Sequence, residues 1–260
     1  STRTRVSFEV AMAQLGGKAL YLNQNDIQIN KGETLYDTAK VLSRMVQGIM
    51  IRTFAHEDVV NLARASSVPV INGLTDLLHP CQAMADFFTI FEHKPHFGRH
   101  PNLLKLAYIG DGNNVANSLI LLSALLGNTF VIANPKGYEI PSQIVEMAKD
   151  LSKKSGAQIL FEENPLVAAK KADVLYTDVW VSMGQEEEKE ARLKAFQGYQ
   201  INGDMIQEAK TDVMVLHCLP AQRGLEITDE VMDGPHSKVF DEAENRLHVQ
   251  KAILLKLMQK

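Results

Sequence analysis

One stretch decides the fold: Leu104-Lys105-Leu106-Ala107-Tyr108-Ile109-Gly110-Asp111-Gly112-Asn113-Asn114. It begins as an apolar run of strand length, turns at two glycines and leads into a helical pattern. The alternation of short β-rich runs with helical patterns continues in both directions, and further strands are predicted at 19–22, 49–52, 70–72, 130–133, 158–161, 174–177 and 213–216. Such alternation is typical of βαβ units, so we predict an α/β fold of parallel sheets flanked by helices.

The predicted elements fall into two groups. Residues 94–102 are rich in His, Pro and Gly and are a candidate linker. We therefore predict two domains joined by interdomain helices: 1–93, with a C-terminal helix over 242–260 packing back on it, and 94–241, which forms its own doubly wound sheet.

Composition excludes several classes of protein. The 260 residues are 45% hydrophobic and 22% charged, with a formal net charge of -4, so no basic field is available for nucleic acid or an anionic membrane. The apolar run at 119–126 is shorter than the roughly 20 residues that a transmembrane helix needs. Two cysteines, Cys81 and Cys218, argue against a disulfide framework and for a reducing compartment.

Two arginine-bearing segments are candidates for binding an anion. Ser1-Thr2-Arg3-Thr4-Arg5 combines hydroxyls, guanidinium groups and the start of a predicted helix, which suits a phosphate. An ordinary capped helix start on the surface would have the same pattern. Arg52 ends an apolar strand, where ligands of open α/β sheets gather, although a solvated strand terminus is equally consistent with it.

His79-Pro80-Cys81-Gln82 opens the predicted helix 79–93. His79 and Gln82 are one turn apart and point the same way, so one could donate to a carbonyl while the other accepts from an amide. A plain helix cap is the competing interpretation.

Three more strand ends carry polar residues. Gly110 to Asn114 resembles a dinucleotide fingerprint, but the third glycine and the ribose-binding carboxylate are missing. Asp178 and Ser182 follow the strand 174–177 and would suit an ammonium group, or form a self-satisfied turn. His217-Cys218-Leu219-Pro220 lacks a second Cys or His pair at zinc spacing, so no metal is expected.

Taken together and in order, the motifs STRTR, HPCQ, DVWVSMG and HCLP resemble those of the ornithine carbamoyltransferase family, and the likeness runs from residue 1 to residue 260. STRTR is shared with aspartate carbamoyltransferases, whereas the Ser-Met-Gly and His-Cys-Leu-Pro motifs are similar to the ornithine branch. The resemblance implies transfer of a carbamoyl group from carbamoyl phosphate to the side-chain amine of L-ornithine, without a cofactor.

The resemblance also implies a role for each site residue. The implied carbamoyl-phosphate site comprises Ser1, Thr2, Arg3, Thr4, Gln28, Arg52, His79, Gln82, the backbone carbonyls at Cys218 and Leu219, and Arg246. The implied ornithine site comprises Asn114, Asp178, Ser182 and Met183. Arg52, His79, Asp178 and Cys218 would be catalytic, with His79 polarising the carbamoyl oxygen and Asp178 and Cys218 assisting deprotonation of the attacking amine.

Assembly and location are likewise expectations from the resemblance. The family forms trimers with sites at subunit interfaces, and Gln28 matches the loop that reaches a neighbour's carbamoyl phosphate. The family also has a helix and a strand ahead of STRTR, whereas this sequence opens at Ser1, so a preceding segment is expected. A cytoplasmic location is expected, or the mitochondrial matrix if that segment was a transit peptide.

Three alternatives stay open. A carbamoyltransferase for putrescine would leave Asn114 without a carboxylate to bind. A nucleotide-binding oxidoreductase would use Gly110 to Asn114, and a catalytically inactive binding protein of the same fold would bind carbamoyl phosphate without turnover.

Overall fold

A computed structural model of the chain describes residues 2–23, 32–182 and 184–259. The chain divides into two compact units. The first comprises Ser1–Ala85 and Glu244–Lys260, and the second comprises Asp86–Ala243. Each contains a parallel sheet flanked by helices, so the α/β prediction is confirmed.

The first unit contains a two-stranded parallel sheet, β1 (Ile49–Arg52) and β2 (Val70–Leu74). Its helices are α1 (Thr2–Gln14), α2 (Leu35–Leu42) and α3 (His56–Ala65). Two longer helices, α4 (Pro80–His93) and α12 (Val239–Met258), contribute residues to both units. The predicted strand at 19–22 is wrong: these residues have no regular structure, and Leu20, Tyr21 and Leu22 are exposed. Their apolar side chains predicted burial, but among the described residues no strand pairs with them.

Helix α1 packs through one stripe. Its buried residues are Thr4, Ser7, Phe8 and Ala11, which recur at helical spacing and so share one face. Phe8 and Ala11 pack against Ile71 of β2, Cys81 of α4 and Leu254 of α12. This packing places Thr4, one turn before Phe8, against the same core.

The second unit has a five-stranded parallel sheet in the order β5-β4-β3-β6-β7. Its strands are β3 (Lys105–Ile109), β4 (Thr129–Ala133), β5 (Gln158–Glu162), β6 (Val174–Thr177) and β7 (Met214–His217). The helices of this unit are α5 (Pro95–Arg99), α6 (Asn114–Leu126), α7 (Ser142–Ser155), α8 (Pro165–Ala169), α9 (Lys189–Ala195), α10 (Gly203–Glu208) and α11 (Asp229–Met232). The strand order reverses between β3 and β6, and in doubly wound sheets ligands bind at the carboxyl ends of the strands on either side of such a reversal.

The interior of this sheet explains why sequence alone located it. Strands β3, β4, β6 and β7 are almost wholly buried, because helices cover both faces of a parallel sheet.

The candidate linker at 94–102 contains regular structure: Pro95 opens α5, and Phe97 is buried. Within the ranges that the structure describes, no helix has both the length and the apolar character needed to cross a membrane.

Candidate active site

The first unit gathers polar side chains around Arg246, which lies on α12 and is 4% exposed. Arg246 Nη1 donates to Gln82 Oε1 at 2.6 Å, and Nη2 donates to Thr4 Oγ1 at 3.4 Å. These partners lie 164 and 242 positions away in the sequence. The structure therefore brings three of the residues assigned to carbamoyl phosphate into one buried cluster.

Gln250, one turn further along α12, completes this cluster. With its amide oriented to satisfy both neighbours, its oxygen accepts from Arg246 Nε at 3.1 Å and Nη2 at 2.9 Å, and its nitrogen donates to Ser7 Oγ at 2.6 Å. A buried guanidinium needs such acceptors, because its desolvation is otherwise uncompensated. Sequence reasoning missed Gln250, although its position four residues after Arg246 places it on the same helix face.

His79 precedes Pro80, and its backbone carbonyl accepts from the amides of Gln82 and Ala83 in the first turn of α4. Its side chain is buried. Burial lowers the pKa of His79 well below 6.5, and the charges of Arg246 and Arg52 lower it further. The imidazole is therefore neutral near neutral pH, which leaves it one N–H to donate.

The remaining predicted residues of the first unit differ in exposure. Arg52 ends β1 and is half-buried, at the point where the pairing of β1 with β2 shifts register. Thr2 and Arg3 lie in the first turn of α1 and are exposed. Ser1 and Gln28, together with Met183 of the second unit, lie outside the described residues.

In the second unit, Asp178 follows β6 and is buried. Asn113 Nδ2 donates to its Oδ2 at 2.7 Å, and the Cys218 thiol donates to its Oδ1 at 3.0 Å. These three residues follow β6, β3 and β7, which are adjacent strands of the sheet. The carboxylate that the sequence assigned to an ammonium group is therefore held in place by donors on two neighbouring strands.

The protonation state of Cys218 follows from this arrangement. Burial raises its pKa well above 9.0, and the Asp178 charge and hydrogen bond raise it further. Cys218 is consequently a thiol at neutral pH and a hydrogen-bond donor, not a free thiolate.

The turn after β7 is held by a buried pair. The Leu219 amide donates to His217 Nδ1 at 2.9 Å, so the ring proton lies on Nε2 and faces Glu226 Oε1 at 3.0 Å. Leu219 has a φ of 56°, a left-handed conformation that costs free energy for a non-glycine residue. The two hydrogen bonds of His217 stabilise this turn and with it the backbone at Cys218.

Asp178, His217 and Cys218 place one potential metal-ligand atom each within 4.8 Å of one another. Both ring nitrogens of His217 are engaged by Leu219 and Glu226, and Cys218 retains its proton. Transition metals require a deprotonated thiolate and a free imidazole lone pair. These groups therefore form a hydrogen-bonding site in the structure.

Asn114 follows β3 and Ser182 follows β6, and these two strands are neighbours in the sheet. Asn114 is the first residue of α6 and is partly buried. Ser182 is partly buried, and its amide donates to Gln185 Oε1 at 3.0 Å. Asn113, not Asn114, bonds to Asp178, and sequence reasoning missed this because adjacent residues in a turn differ only in the direction of their side chains.

Comparison with known proteins gives matches over both units. The carbamoyl-P binding domain model of aspartate/ornithine carbamoyltransferases matches residues 1–92, and the Asp/Orn binding domain model matches residues 102–257. The chain is 59% identical to an ornithine carbamoyltransferase of Caldicellulosiruptor saccharolyticus, covering 98% of this chain and 82% of that protein. It is 58% identical to one from Methanosarcina mazei, covering 100% of this chain and 83% of that protein.

Solved structures give the same picture. The ornithine carbamoyltransferase of Pyrococcus furiosus has a TM-score of 0.94 at 53% identity, covering 99% of this chain and 81% of that one. An anabolic ornithine carbamoyltransferase from Campylobacter jejuni has a TM-score of 0.93 at 44% identity, covering 99% and 84%.

Proposed function

The chain belongs to the aspartate/ornithine carbamoyltransferase family, and we propose that it transfers the carbamoyl group of carbamoyl phosphate to the side-chain amine of L-ornithine, giving L-citrulline and phosphate. One observation supports this most directly. Arg246 binds Thr4 of the STRTR motif and Gln82 of the HPCQ motif in one buried cluster. Neither hydrogen bond is expected from chance similarity of short motifs far apart in the sequence.

We assign the first unit to carbamoyl phosphate. Phosphate binding falls to Ser1, Thr2, Arg3, Thr4 and Arg52, which supply hydroxyls, guanidinium groups and the amides at the start of α1. Arg52 and the neutral imidazole of His79 bind the carbamoyl oxygen, which gains negative charge when the amine attacks. Donors fixed in advance at such an oxygen are usually the largest single contribution to catalysis.

The carbamoyl amide needs the opposite kind of partner, namely hydrogen-bond acceptors. Arg246 donates to the side-chain oxygen of Gln82 and so fixes the orientation of the Gln82 side-chain amide. We propose that Gln82 and the backbone carbonyls of Cys218 and Leu219 orient the carbamoyl NH₂ group. The left-handed turn at Leu219 sets the direction of those two carbonyls. Carbonyl oxygens carry two lone pairs and suit an NH₂ group.

We assign the second unit to ornithine. Asp178 and Ser182 bind the α-amino group, and Asn114 with the Met183 backbone binds the carboxylate. Asp178 suits this role because Asn113 and Cys218 hold it at the reversal point of the sheet. A buried carboxylate bound to an ammonium group is a strong, charge-assisted contact.

The attacking amine must lose a proton, since an ammonium group near pKa 10.4 has no lone pair at neutral pH. Cys218 holds its own proton, so its assistance comes through its hydrogen bond to Asp178 and not through proton abstraction by a thiolate. Once this first proton has passed to solvent, the free amine attacks the carbamoyl carbon, the carbon–oxygen bond to phosphate breaks, and the departing phosphate takes up the second proton that the nitrogen loses. Positioning and charge stabilisation suffice for this chemistry, and no cofactor is assigned.

We further propose the domain boundaries, the assembly and the location. Residues 1–93 with helix 242–260 form the carbamoyl-phosphate-binding domain, and residues 94–241 form the ornithine-binding domain; the grouping of Glu244–Lys260 with Ser1–Ala85 in one compact unit supports this division. The functional assembly is a homotrimer in which Gln28 reaches a neighbouring subunit, and the location is the cytoplasm. A fully active monomer in sedimentation would contradict the trimer.

The test is formation of a carbamoylated product from carbamoyl phosphate with ornithine, putrescine and aspartate offered in parallel, which would give citrulline, N-carbamoylputrescine and N-carbamoylaspartate respectively. We expect turnover with ornithine alone. Arg246→Lys should lower kcat/KM by about 100-fold or more, because a single ammonium cannot replace a guanidinium bound to several acceptors. The matched control is Arg64→Lys, whose side chain is 73% exposed, and it should act like the wild type. Putrescine turnover, or an undamaged Arg246→Lys enzyme, would contradict the assignment.

A further inference from the structure

Arg192 of α9 is a buried arginine to which the proposed reaction gives no role. Its Nη1 donates to Asp111 Oδ2 at 2.9 Å and to the Trp180 carbonyl at 3.1 Å. Its Nε donates to Glu188 Oε2 at 3.0 Å, and its guanidinium lies 4.9 Å from the centre of the Tyr138 ring. A charge removed from water needs this many partners, so its position is closely determined.

The partners of Arg192 identify what it connects. Asp111 lies in the turn after β3, two residues before Asn113, which caps α6 and binds Asp178. Trp180 lies after β6, two residues beyond Asp178 and two before Ser182. One side chain therefore ties together the two strand-end segments that carry the proposed ornithine contacts.

The segment after β6 has few other fixed points. The Trp180 ring stacks on Phe196 at 5.7 Å, and Phe196 packs on Tyr138 at 4.9 Å. The Trp180 indole nitrogen is buried, and among the described residues it has no hydrogen-bond partner. Aromatic packing holds the ring, while the hydrogen bond from Arg192 fixes the backbone of the same residue.

The Asp111 side of the contact is also sensitive to Arg192. Burial raises the pKa of Asp111 to about 6, and the charge and hydrogen bond of Arg192 oppose that rise. The Asp111 carboxylate is therefore ionised at neutral pH largely because Arg192 faces it. Its negative charge in turn compensates the buried charge of Arg192.

We propose that Arg192 and Asp111 are positioning residues for the acceptor: together they hold residues 178–182 against the turn at 110–113 and so set the affinity for the α-amino and carboxylate groups of ornithine. This inference rests on the proposed function of that site. Neither residue belongs to the site proposed for carbamoyl phosphate.

The structure provides a matched control in Asp173, another buried carboxylate of the second unit. Asp173 accepts from Lys210 Nζ at 2.6 Å and from the Lys105 amide at 2.9 Å. It precedes β6, whereas Asp111 follows β3, so the two ion pairs lie at opposite ends of neighbouring parallel strands. Asp173→Asn removes a comparable buried charge without touching the proposed ornithine segments.

The experiment compares Asp111→Asn, Arg192→Lys and Asp173→Asn in the full chain. The readouts are kcat, KM for both substrates, thermal midpoint, and inhibition by L-norvaline, which keeps the α-amino and carboxylate groups of ornithine but lacks the reacting amine. We expect Asp111→Asn and Arg192→Lys to raise the ornithine KM and the norvaline inhibition constant together by about tenfold. The carbamoyl phosphate KM should stay within about twofold, and Asp173→Asn should change only the thermal midpoint.

Glu188→Gln supplies a milder variant should the buried substitutions prevent folding, because its carboxylate is 61% exposed and only one of the Arg192 partners is altered. It should raise the ornithine KM by about twofold to threefold. Equal effects of Asp111→Asn and Asp173→Asn, or a fall in kcat with the ornithine KM unchanged, would overturn the inference. Failure of the wild-type chain to make citrulline would instead remove the proposed function, which separates the two results.

Discussion

The turn that follows β3 leaves no room for a side chain at Gly112. A Cβ placed there would lie 2.4 Å from the carbonyl carbon of Glu139 and 2.5 Å from the amide nitrogen of Ile140. Both are backbone atoms, and the Gly112 amide also donates to the Tyr138 carbonyl at 2.9 Å. Gly112→Ala must therefore push two chain segments apart.

The size of the effect follows from these distances. Ordinary contacts of a Cβ begin at 3.4 Å, so the segments must separate by about 1 Å, from 3.4 minus 2.4. Overpacking of this kind costs roughly 1–3 kcal/mol. For a unit of this size, 1 kcal/mol lowers the thermal midpoint by roughly 2–4 °C, so we expect a loss of roughly 2–12 °C.

The substitution should also lower the catalytic activity. Asn113 follows Gly112 directly, and its bond of 2.7 Å to Asp178 cannot survive a shift of this size unchanged. A misplacement of about 1 Å near reacting groups can cost about 100-fold in rate. We expect this loss in kcat/KM for ornithine.

The assay is thermal unfolding together with citrulline kinetics. Gly203→Ala is the control: a Cβ at Gly203 meets no atom within 4 Å, and that residue begins α10. There alanine should be neutral or stabilise by up to about 1 kcal/mol. A Gly112→Ala protein with the thermal midpoint and the ornithine KM of the wild type would falsify the close approach of Gly112 to the backbone of Glu139 and Ile140.

Three further predictions concern protonation. Because burial raises the pKa of Cys81 to about 11 and that of Cys218 well above 9.0, iodoacetamide near pH 8 should alkylate neither thiol in the folded protein and both in guanidinium chloride; rapid reaction of either when folded would contradict this. Burial and the neighbouring Asp86 raise the pKa of Glu242 well above 4.5, so its contribution to stability is lost as pH rises through the folded pKa. The unfolding free energy of Glu242→Gln minus that of the wild type should therefore increase from about pH 5 to pH 8, by at most about 1.4 kcal/mol per unit, and a flat difference would refute it. His79→Gln should lower kcat but leave the shape of the pH profile above about pH 6 unchanged, since the imidazole is already neutral there; the loss of a profile limb would show that His79 titrates in that range.

The strands were predictable where apolar runs had clear ends. Residues 49–52 and 174–177 were predicted with the bounds that β1 and β6 have, because each run is followed at once by polar or turn residues. The run 19–22 has the same character but stays exposed in the described structure, since a strand also requires a neighbour to pair with. Local pattern carries no information about that neighbour.

Side-chain pairings between distant segments were not predictable. Arg192 follows the charge run at 186–188 in a helix whose residues are mostly charged or small, a pattern that indicates a solvated helix. Only the fold shows that Asp111, 81 positions earlier, faces it. The Arg246 cluster differs, because the resemblance had already assigned Thr4, Gln82 and Arg246 to one ligand.

The turn at 110–113 argues against a nucleotide-binding oxidoreductase, the alternative that the glycines at 110 and 112 suggest. A pyrophosphate binds at a helix N-terminus by taking the free amides of the first turn. Here Asn113 Oδ1 already accepts from the amides of Val115 and Ala116, at 2.9 and 3.1 Å. The backbone of Glu139 and Ile140 fills the space beside Gly112 that a dinucleotide would need. Asn113 thus caps its own helix with its side-chain oxygen and holds Asp178 with its side-chain nitrogen. Because the group held at this turn is a carboxylate, the ligand that the turn favours is an ammonium group and not a phosphate.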